Sequence, residues 1–132
     1  MDPSPATLAL LGSLPDAVTA EIVEPLVTAS GVRLERIVSH GQSTPAGTWY
    51  DQPEAEWVVL LAGSARLQIE GEAEPRSLSP GDAVYLPAHC RHRVAWTSPD
   101  QPTVWLALFL DTALSPVLAA QFRNDRVGGT PA

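Results

Sequence analysis

Lysine is absent from this chain, cysteine and methionine occur once each, and there are three histidines. A single cysteine leaves no internal disulfide, so the fold does not depend on an oxidising compartment. Eight basic side chains, all arginine, stand against fifteen acidic ones, for a net charge of −7. Nucleic acids and anionic bilayers are held by clustered basic side chains, so neither is an expected partner. No apolar run approaches the ~20 residues of a membrane-spanning helix. The opening segment MDPSPATLALLGSLP starts acidic and lacks the basic stretch of a secretory signal, which makes the cytoplasm the expected location. No serine sits in a G-x-S-x-G setting, and no glycine-rich phosphate loop occurs.

Turn formers are what the chain has in quantity. Thirteen prolines and nine glycines, with 45% apolar residues, suit many short strands joined by tight turns rather than long helices. At 132 residues the chain is expected to be one domain with one core. The barrel is expected over about 20–111, between an N-terminal arm (1–19) and a C-terminal helix and tail (112–132).

Eight strand candidates follow one another at short intervals. EIVEPLV (21–27) and VRLERIVS (32–39) alternate apolar and polar residues, the period of half-buried strands. The second slips phase among Val32, Leu34, Ile37 and Val38, which predicts a bulge near Arg36. WVVLLAG (57–63) is apolar on both faces and reads as a buried strand. SARLQIE (64–70) puts Ala65, Leu67 and Ile69 on one face, and PRSLS (75–79) returns after a turn at Gly71. Ser79-Pro80-Gly81-Asp82 is a strong turn signal. AVYLP (83–87), HRVAWTS (92–98) and TVWLALFL (103–110) complete the set. Residues 6–12 are expected as a short helix or ordered arm. Ser115-Pro116 predicts the start of a short helix over 116–123. The segment 40–56 is turn-rich and polar, a long loop or a short strand between two loops.

Gly81 to His92 reads GDAVYLPAHCRH, and upstream Glu56 opens the apolar run that ends at Gly63. These two segments resemble the paired motifs of the cupin superfamily, whose first can be written G-x5-H-x-H-x3–4-E-x6-G and second G-x5-P-x-G-x2-H-x3-N. Gly81, Pro87 and His92 fall at the spacing of the second, with His89 in its glycine position and Trp96 in its asparagine position. Glu56 and Gly63 match the first, and Gly47 lies near its opening glycine. The histidine pair is missing. A four-residue gap before Glu56 places Trp49 and Asp51 there, and a three-residue gap places Tyr50 and Gln52. The resemblance spans about residues 32–110. The string WYDQPEAEW…HRVAW is also similar to a subgroup of small single-domain bacterial cupins.

The resemblance implies an all-β, antiparallel jelly-roll barrel that binds a small molecule and often one metal ion. Glu56 and His92 are the implied metal ligands, with Asp51 and His89 as substitutes for the absent pair. Carboxylate and imidazole suit Mn, Fe, Ni or Zn. Trp49, Tyr50 and Trp96 are expected at the pocket, Trp96 because it follows His92 by four strand positions. Tyr50 or Asp51 is a candidate acid–base group. Two functions remain open on these residues. One is a metal-dependent enzyme acting on a small organic substrate, and the other a metal-free ligand-binding, sensor or accessory protein. Apolar faces on the first two strands, together with the habit of related cupins, predict a homodimer.

Overall fold

The structure, a computed structural model, describes residues 4–111. The helix expected over 116–123 lies outside these residues. Eight strands form two antiparallel sheets: β1 (Ile22–Ala29), β2 (Val32–Ser39), β3 (Ala55–Ala62), β4 (Ala65–Ile69), β5 (Arg76–Leu78), β6 (Ala83–Leu86), β7 (His92–Thr97) and β8 (Thr103–Leu110). The larger sheet runs β1-β2-β8-β3-β6 and the smaller β5-β4-β7. The fold is the antiparallel jelly roll that the cupin resemblance implied. Among the described residues no helix is long and apolar enough to cross a membrane.

The core lies between the two sheets. Val58 and Leu60 of β3, Trp105 and Ala107 of β8, and Val84 and Leu86 of β6 face Ala65 and Leu67 of β4 and Leu78 of β5. Each follows the two-residue period of its strand. A fully covered side chain such as Leu60 contributes roughly 1.5–3 kcal/mol. The opposite face of β3 carries Trp57, Val59 and Leu61, which are only partly covered.

The motif glycines act through backbone shape. Gly63 adopts φ +86°, and a Cβ there would stand 2.6 Å from the Pro102 carbonyl oxygen and from Thr103 Cα. Gly81 adopts φ +95° after Pro80, in a turn closed by the Asp82 N–H on the Ser79 carbonyl at 2.9 Å. This turn launches β6 alongside β3.

One sequence expectation is displaced. The bulge predicted near Arg36 is not in β2, which pairs with β8 without interruption from Val32–Leu110 to Ser39–Thr103. The irregularity lies in the neighbouring β1, between Pro25 and Val27. Proline has no N–H to offer the ladder, so the edge strand slips there instead. The phase slip read in β2 arises because both its faces are covered: Ile37 faces the interior, and Val38 the other side. Arg36 stays buried on that other side, bonded to Glu24 at 2.7 Å and to the Leu10 carbonyl at 2.9 Å. It thereby holds the N-terminal arm, which forms a single turn at Gly12 and no helix.

Candidate functional site

The segment 40–54 runs along the free edge of β7. Thr44 N–H donates to the Val94 carbonyl at 2.8 Å, and Tyr50 and His92 exchange backbone bonds of 2.8 and 3.1 Å. A free strand edge is thus covered, and Tyr50 and Gln52 are set opposite the start of β7. The His89 N–H donates to the Gln52 carbonyl at 2.7 Å, which ties the proline corner to the same segment.

Between the sheets lies a cavity of about 190 Å³. Its polar lining comprises Glu21, Glu35, Tyr50, Gln52, Glu56 and His92, set against an apolar wall that includes Leu67, Val94, Trp105 and Phe109. Exposed Glu21, Val23 and Tyr50 mark its mouth. Glu56 and His92 are 8% and 5% exposed, so both ionisable groups sit in the interior.

Their arrangement is specific. His92 Nδ1–H donates to the Cys90 carbonyl at 2.8 Å. A carbonyl only accepts, so in the neutral ring the proton is on Nδ1 and Nε2 is bare. That Nε2 lies 3.6 Å from Glu56 Oε1, which also accepts a bond from Gln52 Nε2 at 3.0 Å. Burial pushes the Glu56 carboxyl above its ordinary range, with nearby His92 and the Gln52 hydrogen bond opposing that rise. The Tyr50 ring sits 5.5 Å from the imidazole, tilted by 32°.

Of the residues singled out from sequence, the structure brings Glu56, His92 and Tyr50 together. Trp96 is elsewhere. Its expected inward position assumed an unbroken two-residue period, but the β4–β7 ladder pairs Leu67 with Val94 and Arg66 with Trp96, which leaves Ala95 as an extra residue. That bulge turns Trp96 to the outer face, where the Arg66 guanidinium stacks on it at 4.8 Å. Trp49 also lies off the cavity lining, under Arg91 at 5.7 Å. Asp51 and His89 pair with each other at 2.8 Å, with side chains 47% and 68% exposed, and neither lines the cavity. Sequence reasoning left Gln52, Glu21 and Glu35 off the candidate site. Gln52 was within reach, since the three-residue gap before Glu56 puts Tyr50 and Gln52 at the two histidine positions.

The donor set does not fit a mononuclear Mn, Fe, Ni or Zn site. Glu56 and His92 supply two donors, and no group of three His, Cys, Asp or Glu assembles among the described residues. The position where a third ligand would stand carries the Gln52 amide, whose N–H already occupies Glu56 Oε1. Cys90 does not line the cavity.

Comparison with known proteins identifies the fold and the family. A candidate mannose-6-phosphate isomerase from Ralstonia eutropha JMP134 is 47% identical and superposes with a TM-score of 0.79, over 82% of this chain and 100% of that one. A cupin superfamily protein from Desulfitobacterium hafniense DCB-2 shares 17% identity with a TM-score of 0.67, over 83% of this chain and 94% of its own, which speaks to fold alone. KdgF from a Halomonas species is similar in the same limited sense, at 22% identity and a TM-score of 0.60, over 75% and 87%. No curated protein sequence matches the chain. A family model of the cupin domain matches residues 36–109, which include Glu56, Gly63, Gly81, Pro87 and His92, and the chain therefore belongs to the cupin family.

Proposed function

We propose that this cupin binds a compact organic molecule in the barrel cavity without a resident metal ion, and that Glu56 and His92 exchange protons with it. The observation that carries the reading is the Glu56–His92 pair, two buried titratable groups 3.6 Å apart that both line the cavity. A carboxyl whose proton affinity is raised by burial serves as an acid, and a bare imidazole nitrogen beside it serves as a base. A substrate held against both can lose a proton to one and gain a proton from the other. That is the requirement of an isomerisation or an elimination. The Ralstonia relative, a candidate isomerase, supports the first of these reaction types. Tyr50, at the mouth and against the imidazole, would contact a bound molecule. In this reading Asp51 holds His89 and has no part in the proton exchange.

Ligand-observed NMR with compact organic fragments tests the reading. Hits are expected to displace one another and to move the His92 imidazole resonances. Hits that leave those resonances unmoved, or an absence of hits, would overturn it.

The assembly proposed is a homodimer, in the cytoplasm. Half-buried Leu34, Trp57, Leu106 and Leu108 lie on the outward side of the larger sheet, and Val27 is 47% exposed on its edge strand. A second copy covering this side would remove that apolar area from water. Sedimentation at micromolar concentration that gives the 14.0 kDa monomer would refute it.

A further inference from the structure

Three carboxylates line the cavity, those of Glu21, Glu35 and Glu56, and no arginine does, in a chain without lysine. Arg33 stacks on the Phe109 ring at 4.1 Å, but its charge is neutralised by Glu35 at 3.0 Å and Glu54 at 2.8 Å. The other arginines of the described residues are committed away from the cavity: Arg36 to Glu24, Arg76 to Glu72, Arg91 to Glu70, Arg66 to Trp96, and Arg93 to the Thr44 carbonyl. Inside, two nine-tenths-buried side chains present atoms that make no hydrogen bond to the described residues, Nε2 of His92 and Oε2 of Glu56. Nε2 accepts while the imidazole is neutral, and Oε2 accepts once Glu56 has released its proton, which a bound ammonium group favours. The rings of Tyr50, Trp105 and Phe109 also line the cavity.

From this juxtaposition we infer that the cavity selects a small organic cation, an amine carried on a compact apolar body, over phosphorylated or carboxylated molecules. An ammonium group gains charge-assisted bonds to carboxylates and the attraction of ring faces. A phosphate entering the same space would give up its hydration with no guanidinium or ammonium to replace it. It would also meet the field of a chain whose net charge is −7. The inference rests on the reading of the cavity as a small-molecule site. It also sets this chain apart from a sugar-phosphate isomerase, the activity named for its Ralstonia relative.

Isothermal titration calorimetry on the full chain with benzylamine, benzyl alcohol and benzyl phosphate separates the two layers of the argument. The three share one apolar body and differ in charge. Benzylamine is expected to bind at least about tenfold more tightly than benzyl alcohol, with benzyl phosphate the weakest. Added salt should narrow the gap. Glu21→Gln, at the rim, should weaken benzylamine severalfold and benzyl alcohol by much less. Benzyl phosphate binding as tightly as benzylamine, or equal affinity for all three, would overturn the cation preference while leaving a small-molecule site. If none of the three gives heat or moves the His92 resonances, the reading beneath the inference falls as well.

Discussion

Gln52 donates a hydrogen bond of 3.0 Å to Glu56 from a position where the cupin motif places a metal-binding histidine. Tyr50, two residues earlier, occupies the other histidine position and also lines the cavity. The family's metal-binding scaffold is thus present with two of its four donors replaced. Converting both by Tyr50→His and Gln52→His should create a site that holds divalent Mn, Fe, Ni or Zn. Each single variant should bind more weakly than the double one. Metal titration followed by thermal melting measures the gain, and a double variant whose melting point ignores all four ions would contradict the superposition of motif and geometry.

Glu56 makes stability depend on pH. Burial raises its carboxyl above the ordinary value of 4.5, so the folded chain holds that proton more tightly than the unfolded chain does. Stability from this group is therefore greatest below 4.5 and falls as pH rises through the interval between the ordinary and the raised value. Glu56→Gln keeps the shape and removes the titration. The variant should match the parent in acid and be the more stable of the two at neutral pH. Parallel stability profiles for the two proteins would contradict the assignment.

His89 is the non-glycine residue of positive φ among those described, at 61°, and it occupies the motif's glycine position. Its strain is offset by the bond to Asp51 at 2.8 Å on an exposed surface. Glycine adopts this conformation without steric cost. His89→Gly should therefore change stability by less than about 1 kcal/mol and leave ligand affinity as it was. Denaturant unfolding checks the first part, and a loss of ligand binding would return His89 to the candidate site.

Trp96 should matter to the surface of the small sheet and not to the cavity. Trp96→Ala removes the stack with Arg66, worth about 0.5–1 kcal/mol at an exposed site, together with some packing. Affinity for any cavity ligand should stay within about twofold of the parent. A large loss of affinity would place the indole inside after all.

The sequence pattern carried most of the framework and part of the site. β2 and β8 run over 32–39 and 103–110, the segments that their apolar content between turn formers marked. The Glu56–His92 meeting was legible through the resemblance to the cupin motifs, in which each residue sits at a fixed interval from a glycine that here has positive φ. The turn of Trp96 was not legible. A bulge at Ala95 leaves no mark in residue type, and a single extra residue reverses every side chain beyond it. Glu21 and Glu35 were equally hidden. They come from β2 and the approach to β1, and only the closing of the two sheets brings them to the cavity that holds Glu56.

The central claim is that Glu56 and His92 act on a bound organic molecule with no resident metal. The most direct measurement is elemental analysis by mass spectrometry of the chain purified without a histidine tag, together with melting curves in added Mn, Fe, Ni and Zn. The account predicts far less than one equivalent of any of the four ions and an unchanged melting temperature. One equivalent of a single metal, lost on Glu56→Ala or His92→Ala in a chain that still folds, would contradict it.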